Sequence, residues 1–150
     1  MSVVADYVGF ASLPKILYLY DTFCGIPPGY DADGHSSEIY RQEPDAYEQV
    51  RNRFKPYANV RIVKGVVPNT FAEAAPGKIA FLHIDMNSTK SEIAALDHLF
   101  DRVSIGGMII LDDFGWLRYE RQAHAEVEFM DRRGHAILEL PTGQGLVVKR

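Results

Sequence analysis

The stretch GGMIILDDFG, Gly106 to Gly115, sets an apolar run of strand length against two adjacent carboxylates. Neighbouring negative charges repel one another and lose hydration on burial, so Asp112 and Asp113 need a reason to stand together. Successive residues on a strand point to opposite faces, so both can reach one ion only if the strand ends between them. Gly115 supplies the conformational freedom for such a turn. Two readings are open: the pair holds a cation, or it is a polar loop closing a buried strand.

The rest of the chain repeats the pattern. IAFLHID is a strand-length apolar run closing at Asp85, and KILYLYDTF one reaching Asp21. Continuous apolar runs suit strands covered on both faces. NVRIVKG is a further strand, stopped by Gly65. Between them lie helix-period segments: EPDAYEQVRNRFKPY, with Ala46, Val50 and Phe54 on one face, and the segment after Thr89, with Ile93, Leu96, Phe100 and Val103 inward. Thr89 and Glu92 have capping-box spacing. RYERQAHAEVEFMDRRG predicts a last helix, with Tyr119, Ala123, Val127 and Met130 inward and Gly134 ending it. The tail AILELPTGQGLVVKR reads as a hairpin turning at Thr142 to Gly145. Strands alternating with helices imply an α/β fold with a mostly parallel sheet and an antiparallel C-terminal hairpin.

Ligands of open α/β sheets bind beyond the carboxyl ends of the strands. Three parallel strands here end in acids: Asp21, Asp85 and Asp112–Asp113. Asp85, Asp112 and Asp113 form an all-oxygen set suited to Mg²⁺ or Mn²⁺ rather than zinc. His83 shares a strand face with Asp85 and reads as a buried, hydrogen-bonded histidine. Two look-alikes fail. DFG lacks the glycine-rich loop and HRD of protein kinases, and MIILDD has no G-x-x-x-x-G-K-[ST] partner.

Composition narrows the classes. The 150 residues are 47% hydrophobic and 24% charged, enough for one domain with a real core. A net charge of −4 gives no footprint for nucleic acid or an anionic membrane. No run approaches 18 apolar residues, so no membrane span is expected. The N-terminus lacks the pattern of a signal peptide, and the single Cys24 fits a reducing, cytoplasmic setting.

YLYDTFCGIP, VRIVKGVVPNTF, IAFLHIDMN…EIAALDHL, GGMIILDDFG and PTGQGLVVKR stand in the order seen in the macrocin O-methyltransferase (TylF-like) family, which the chain resembles from Lys15 to Arg150. The resemblance implies a Rossmann-like class I methyltransferase sheet, S-adenosylmethionine as cofactor, and a hydroxyl of a sugar or glycosylated small molecule as acceptor. It implies that Asp21 accepts hydrogen bonds from the cofactor ribose and that Gly65 and Val66 lie near the adenine. It further implies that Asp85, Asp112 and Asp113 hold the divalent metal and that Asp85 serves as general base. The loop from Cys24 to Ser37 would close over the acceptor, with His35 touching it.

Three departures stand out. Relatives carry a strand and a glycine-rich turn before the YLYDTF segment. Here fourteen residues precede Lys15, with Gly9 their sole glycine, and no G-x-G sequence precedes Asp21. The expectation is a shortened single methyltransferase-like domain over 1–150 that lacks the first central strand. The strands ending at Asp21 and Asp85 must then pair directly, borrow SVVADYVGF, or leave a gap, and unpaired backbone disfavours the gap. Asn87 stands where relatives commonly have Asp, and Thr89 where they have Tyr. The alternative reading is a catalytically inactive methyltransferase-like domain that binds a metal or a partner and forms a homodimer, with Trp116 and Tyr119 as candidate interface aromatics.

Overall fold

Val-, Ile- and Leu-rich runs become strands wherever a helix can cover them, and the acids at their ends mark where cover stops. The computed structural model describes residues 1–30 and 37–150. Its strands are β1 (Leu17–Asp21), β2 (Val60–Lys64), β3 (Ile79–Ile84), β4 (Val103–Leu111), β5 (Leu138–Glu139) and β6 (Gly145–Val148). The helices are α1 (Ser2–Tyr7), α2 (Ala46–Phe54), α3 (Thr89–Leu99) and α4 (Glu120–Asp131). No helix among the described residues is long and apolar enough to cross a membrane.

The strands form two sheets. β1 and β2 pair in parallel; β3, β4, β6 and β5 make a four-stranded sheet in that order, with β3–β4 parallel and the β6 pairings antiparallel. The expected mixture of parallel strands and a terminal hairpin is present. The expected repair of the missing central strand is not. β1 and β3 do not pair, and SVVADY is helix rather than strand.

The reason lies in what holds the N-terminal segment elsewhere. The Asn59 side-chain amide donates to the carbonyls of Phe10, Leu13 and Lys15 at 2.9–3.2 Å. Asp6 accepts from Arg53 at 2.7 Å and from the Tyr57 hydroxyl. Residues 6 to 15 are therefore tied to the start of β2 and the end of α2. Tyr20 of β1 packs instead on the segment between β2 and β3, donating to the Ala74 carbonyl at 2.7 Å and meeting Phe71 edge to face.

The core follows the period-2 alternation of the larger sheet. Ile109, Leu111 and Val147 face Leu96 and Leu99 of α3 and Phe129 and Met130 of α4, all buried. The opposite face of the same strands exposes Phe81, Met108 and Val148, which are register partners across β3, β4 and β6. α2 keeps its inward face, ending in the buried Phe54.

Two helix readings shift. α3 opens at Thr89 with Ser88 as its N-cap, so Thr89 lies inside the helix, and Glu92 turns back to the loop before it. In α4 Val127 is exposed, and the buried face carries Gln122, Glu126, Phe129 and Met130. Sequence periodicity favoured the apolar residue at 127, but the helix is rotated so that two polar side chains face inward. Trp116 and Tyr119 also part: Trp116 is exposed and Tyr119 is buried.

Candidate functional site

β1 ends at Asp21, and its continuation turns sharply. Asp21 Oδ1 accepts the Phe23 N–H at 2.6 Å, Phe23 takes a left-handed φ of 56°, and the Thr22 hydroxyl donates to Gly25 O at 2.6 Å. The turn leaves the Asp21 carboxylate exposed at the sheet's carboxyl edge, where the Gln42 amide donates to both its oxygens at 3.0 and 3.2 Å.

β2 ends beside it. Gly65 donates its N–H to Asp21 O at 2.9 Å and has a φ of 143°, in the region that favours glycine. A Cβ at Gly65 would lie 2.7 Å from Thr70 Cγ2, so the chain can pass this close only as glycine.

β3 contributes the third side. Asp85 follows its last residue, is exposed, and receives the Asn87 amide on Oδ1 at 3.0 Å. Asn87 itself has a left-handed φ of 55°, and its Oδ1 accepts the Tyr119 hydroxyl at 3.1 Å. Tyr119 also bonds the Tyr40 hydroxyl. Burial, followed by that bond and the charges of Asp113 and Asp85, drives the Tyr119 hydroxyl far above its ordinary range. It acts here as a neutral donor.

Asp21, Gly65, Val66 and Asp85 thus line one cleft of about 190 Å³, together with Tyr40 and Gln42. Residues just past the ends of β1, β2 and β3 meet there, whereas Asp112 and Asp113, expected on the same crevice, are not among its lining residues. Sequence reasoning missed Tyr40 and Gln42, which sit just past the loop in segments without periodicity. Lys90 ties that loop to α3, donating to Gly29 O at 3.0 Å and standing over the Tyr30 ring. His35 lies outside the described residues.

The two acids of GGMIILDDFG go separate ways. β4 ends at Leu111, yet the Asp112 N–H still donates to Ile84 O at 3.0 Å, so the ladder runs one residue further. Asp112 therefore keeps strand alternation and meets His83 Nε2 at 3.1 Å and Gln144 Nε2 at 2.8 Å. The histidine is hydrogen-bonded, as read from the sequence. Asp113 turns toward α3 and α4, where it feels Glu92, Glu126 and Tyr119. Burial, reinforced by Asp85 and Asp112, pushes Asp113 up to about 6.

A shared metal needs ligands converging on one point. Among the described residues no group of three or more His, Cys, Asp or Glu side chains is placed to hold a metal ion. The set Asp85, Asp112 and Asp113 does not meet that requirement as arranged here, and Asp112 is engaged by His83 and Gln144.

The architecture matches known methyltransferases. The solved O-methyltransferase NovP superposes with a TM-score of 0.78 at 21% identity, covering 99% of this chain and 65% of that one. A calicheamicin methyltransferase superposes at 0.76 and 18% identity, covering 98% and 66%. These define a Rossmann-like methyltransferase fold. The profile of the macrocin O-methyltransferase (TylF) family matches residues 8–137, and the chain belongs to that family. Among curated relatives, 8-demethyl-8-(2,3-dimethoxy-alpha-L-rhamnosyl)-tetracenomycin-C 4'-O-methyltransferase of Streptomyces olivaceus is 31% identical over 108 residues, 65% of this chain and 41% of that protein. Demethyldecarbamoylnovobiocin O-methyltransferase of Streptomyces niveus is 30% identical over 110 residues, 67% of this chain and 42% of that protein. The chain spans about two fifths of the length of these relatives.

Proposed function

We propose that this chain carries the cofactor cleft of an S-adenosylmethionine-dependent O-methyltransferase acting on a hydroxyl of a sugar-like small molecule. The observation that carries the reading is the convergence of Asp21, Gly65, Val66 and Asp85 on one cleft. The family membership and the rhamnosyl-bearing acceptor in the name of the Streptomyces olivaceus relative support the choice of chemistry and acceptor.

The residues present suit such a cofactor. A carboxylate at the end of β1 can accept from a vicinal diol, and the Gly65–Val66 turn lines the same cleft. S-Adenosylmethionine, when bound, supplies an electrophilic methyl group on a sulfonium. The chain's part is orientation and proton transfer. Asp85 would take the acceptor hydroxyl's proton as the oxygen–methyl bond forms and the carbon–sulfur bond breaks, leaving a neutral thioether. Asn87 aims that carboxylate by donating to Oδ1, which leaves Oδ2 for the acceptor. Holding oxygen and methyl carbon in line contributes through proximity. No step is assigned to a metal.

The test is transfer of labelled methyl from S-adenosylmethionine to a panel of glycosides. The account expects product with the wild-type chain and a loss of about 100-fold or more with Asp85→Asn, the usual scale for a general base. Transfer that is insensitive to Asp85→Asn would overturn the role of Asp85. Cofactor binding without transfer to any glycoside would favour the inactive, binding-only alternative.

A further inference from the structure

Behind the cleft lies a group of buried polar side chains that the proposed reaction does not use. Glu92 of α3 and Glu126 and Gln122 of α4 are all fully buried. Glu92 Oε1 accepts the backbone N–H of Met86 at 3.0 Å and of Asn87 at 3.2 Å. These are the two residues that follow Asp85. With both glutamates ionised, neither Glu126 oxygen would have a donor among the described residues, and Glu92 Oε2 would lack one too. A buried carboxylate without a donor is costly, and one retained proton between the two carboxyls gives Glu92 Oε2 and one Glu126 oxygen a partner. Burial is the largest cause that raises both groups, so the pair holds on to a proton that an exposed glutamate would give up.

We propose that Glu92, backed by Glu126, is the positioning residue that fixes the Asp85–Asn87 turn and so aims the Asp85 carboxylate into the cleft. The turn needs such a hold. Asn87 sits at a φ of 55°, a conformation L-residues adopt at a cost. Two N–H bonds to one carboxyl oxygen offset that cost and set the direction from which the Asn87 amide reaches Asp85 Oδ1. Tyr119 holds the other end of the same amide. The turn is thus gripped at its backbone by α3 and at its side chain by the residue that opens α4. Neither gripping residue lines the cleft, so Glu92 acts through Asn87 and not on a ligand.

This assignment rests on the methyltransferase reading only for its catalytic consequence. Its structural part is tested by amide hydrogen exchange at Met86 and Asn87 in Glu92→Gln, Glu92→Leu and the paired Glu92→Leu/Glu126→Leu chain. Gln keeps an acceptor at Oε1 and offers an N–H to Glu126, so both amides should exchange within about threefold of wild type. Leu removes the acceptor, and both amides should exchange at least tenfold faster while Ile109 and Leu111 of β4 stay protected. The paired variant leaves no lone buried carboxyl and gives the same result if Glu92→Leu alone does not fold. In labelled-methyl assays Glu92→Leu should lower kcat at least tenfold with little change in KM for the cofactor, and Glu92→Gln should restore it.

Unchanged exchange at Met86 and Asn87 in a folded Leu variant would overturn the assignment. So would faster exchange spread evenly over β4, which would make Glu92 a general core residue. Faster local exchange, with no methyl transfer by any chain including wild type, would uphold Glu92 as the hold on the turn and reject the methyltransferase reading.

Discussion

The side-chain amide of Asn87 donates to Asp85 Oδ1 across 3.0 Å, and it does so from a backbone held at a φ of 55°. One residue therefore supplies both an unusual turn and the donor that orients the candidate base. The two roles separate by substitution. Asn87→Ala should lose the donor and keep the left-handed strain, whereas Asn87→Gly should lose the donor and relieve the strain. Urea unfolding should find the Ala variant less stable than the Gly variant by about 1 kcal/mol, the scale of left-handed strain in an L-residue. Equal stability would mean that the turn relaxes away from this geometry.

Gly65 predicts a second pair. Gly65→Ala places a Cβ 2.7 Å from Thr70 Cγ2 at a φ of 143°. The expected loss is about 1–3 kcal/mol in thermal unfolding, as for other residues forced into glycine-only backbone. Adding Thr70→Ser removes the offending methyl and should recover part of that loss, leaving the backbone share. No recovery would place the whole effect in the backbone.

Stability should also depend on pH in an unusual direction. Glu126 is raised by burial from 4.5 to about 7, Glu92 is raised well above its ordinary range by burial and by its bond to Glu126, and Asp113 is raised to about 6. Groups raised in the folded state bind more protons there than in the unfolded chain. Stability then falls as pH rises from the unfolded carboxylate value through the folded one. Between about pH 5 and 8 the wild-type chain should lose stability on the order of 1–3 kcal/mol relative to Glu126→Gln, which has no proton to lose at that position. Parallel urea-unfolding profiles for the two chains would contradict this.

Much of this was legible before the structure. Strand-length runs ending in acids mark Asp21 and Asp85 as strand ends on one cleft, because the end of a parallel strand is where burial stops; the split into two sheets and the exclusion of Asp112 and Asp113 from that cleft are not visible in the runs. Gly65 was visible as the residue that halts an apolar run. Periodicity does not reveal that α4 turns Glu126 inward in place of Val127, since a glutamate that will be buried looks like a surface residue in sequence. The spacing of Thr89 and Glu92 did flag Glu92, though for a cap on its own helix and not for the loop it actually holds. Strand alternation is the obstacle to a shared ion at Asp112 and Asp113, and the ladder does extend to Asp112, whose carboxylate is taken by His83 and Gln144. The gap between β1 and β3 was disfavoured on backbone grounds. It is there because Asn59 and Asp6 engage the segment that might have filled it.

The central claim is that the cleft bounded by Asp21, Gly65, Val66 and Asp85 takes S-adenosylmethionine, and calorimetric titration with S-adenosylhomocysteine tests it most directly. Asp21→Asn is the variant of choice, since it keeps an oxygen for the Phe23 N–H while removing the charge offered to a diol. The account predicts micromolar binding by the wild-type chain and at least tenfold weaker binding by Asp21→Asn, a difference of about 1.4 kcal/mol. Absence of binding to the folded wild-type chain, or equal binding by the two, would contradict it.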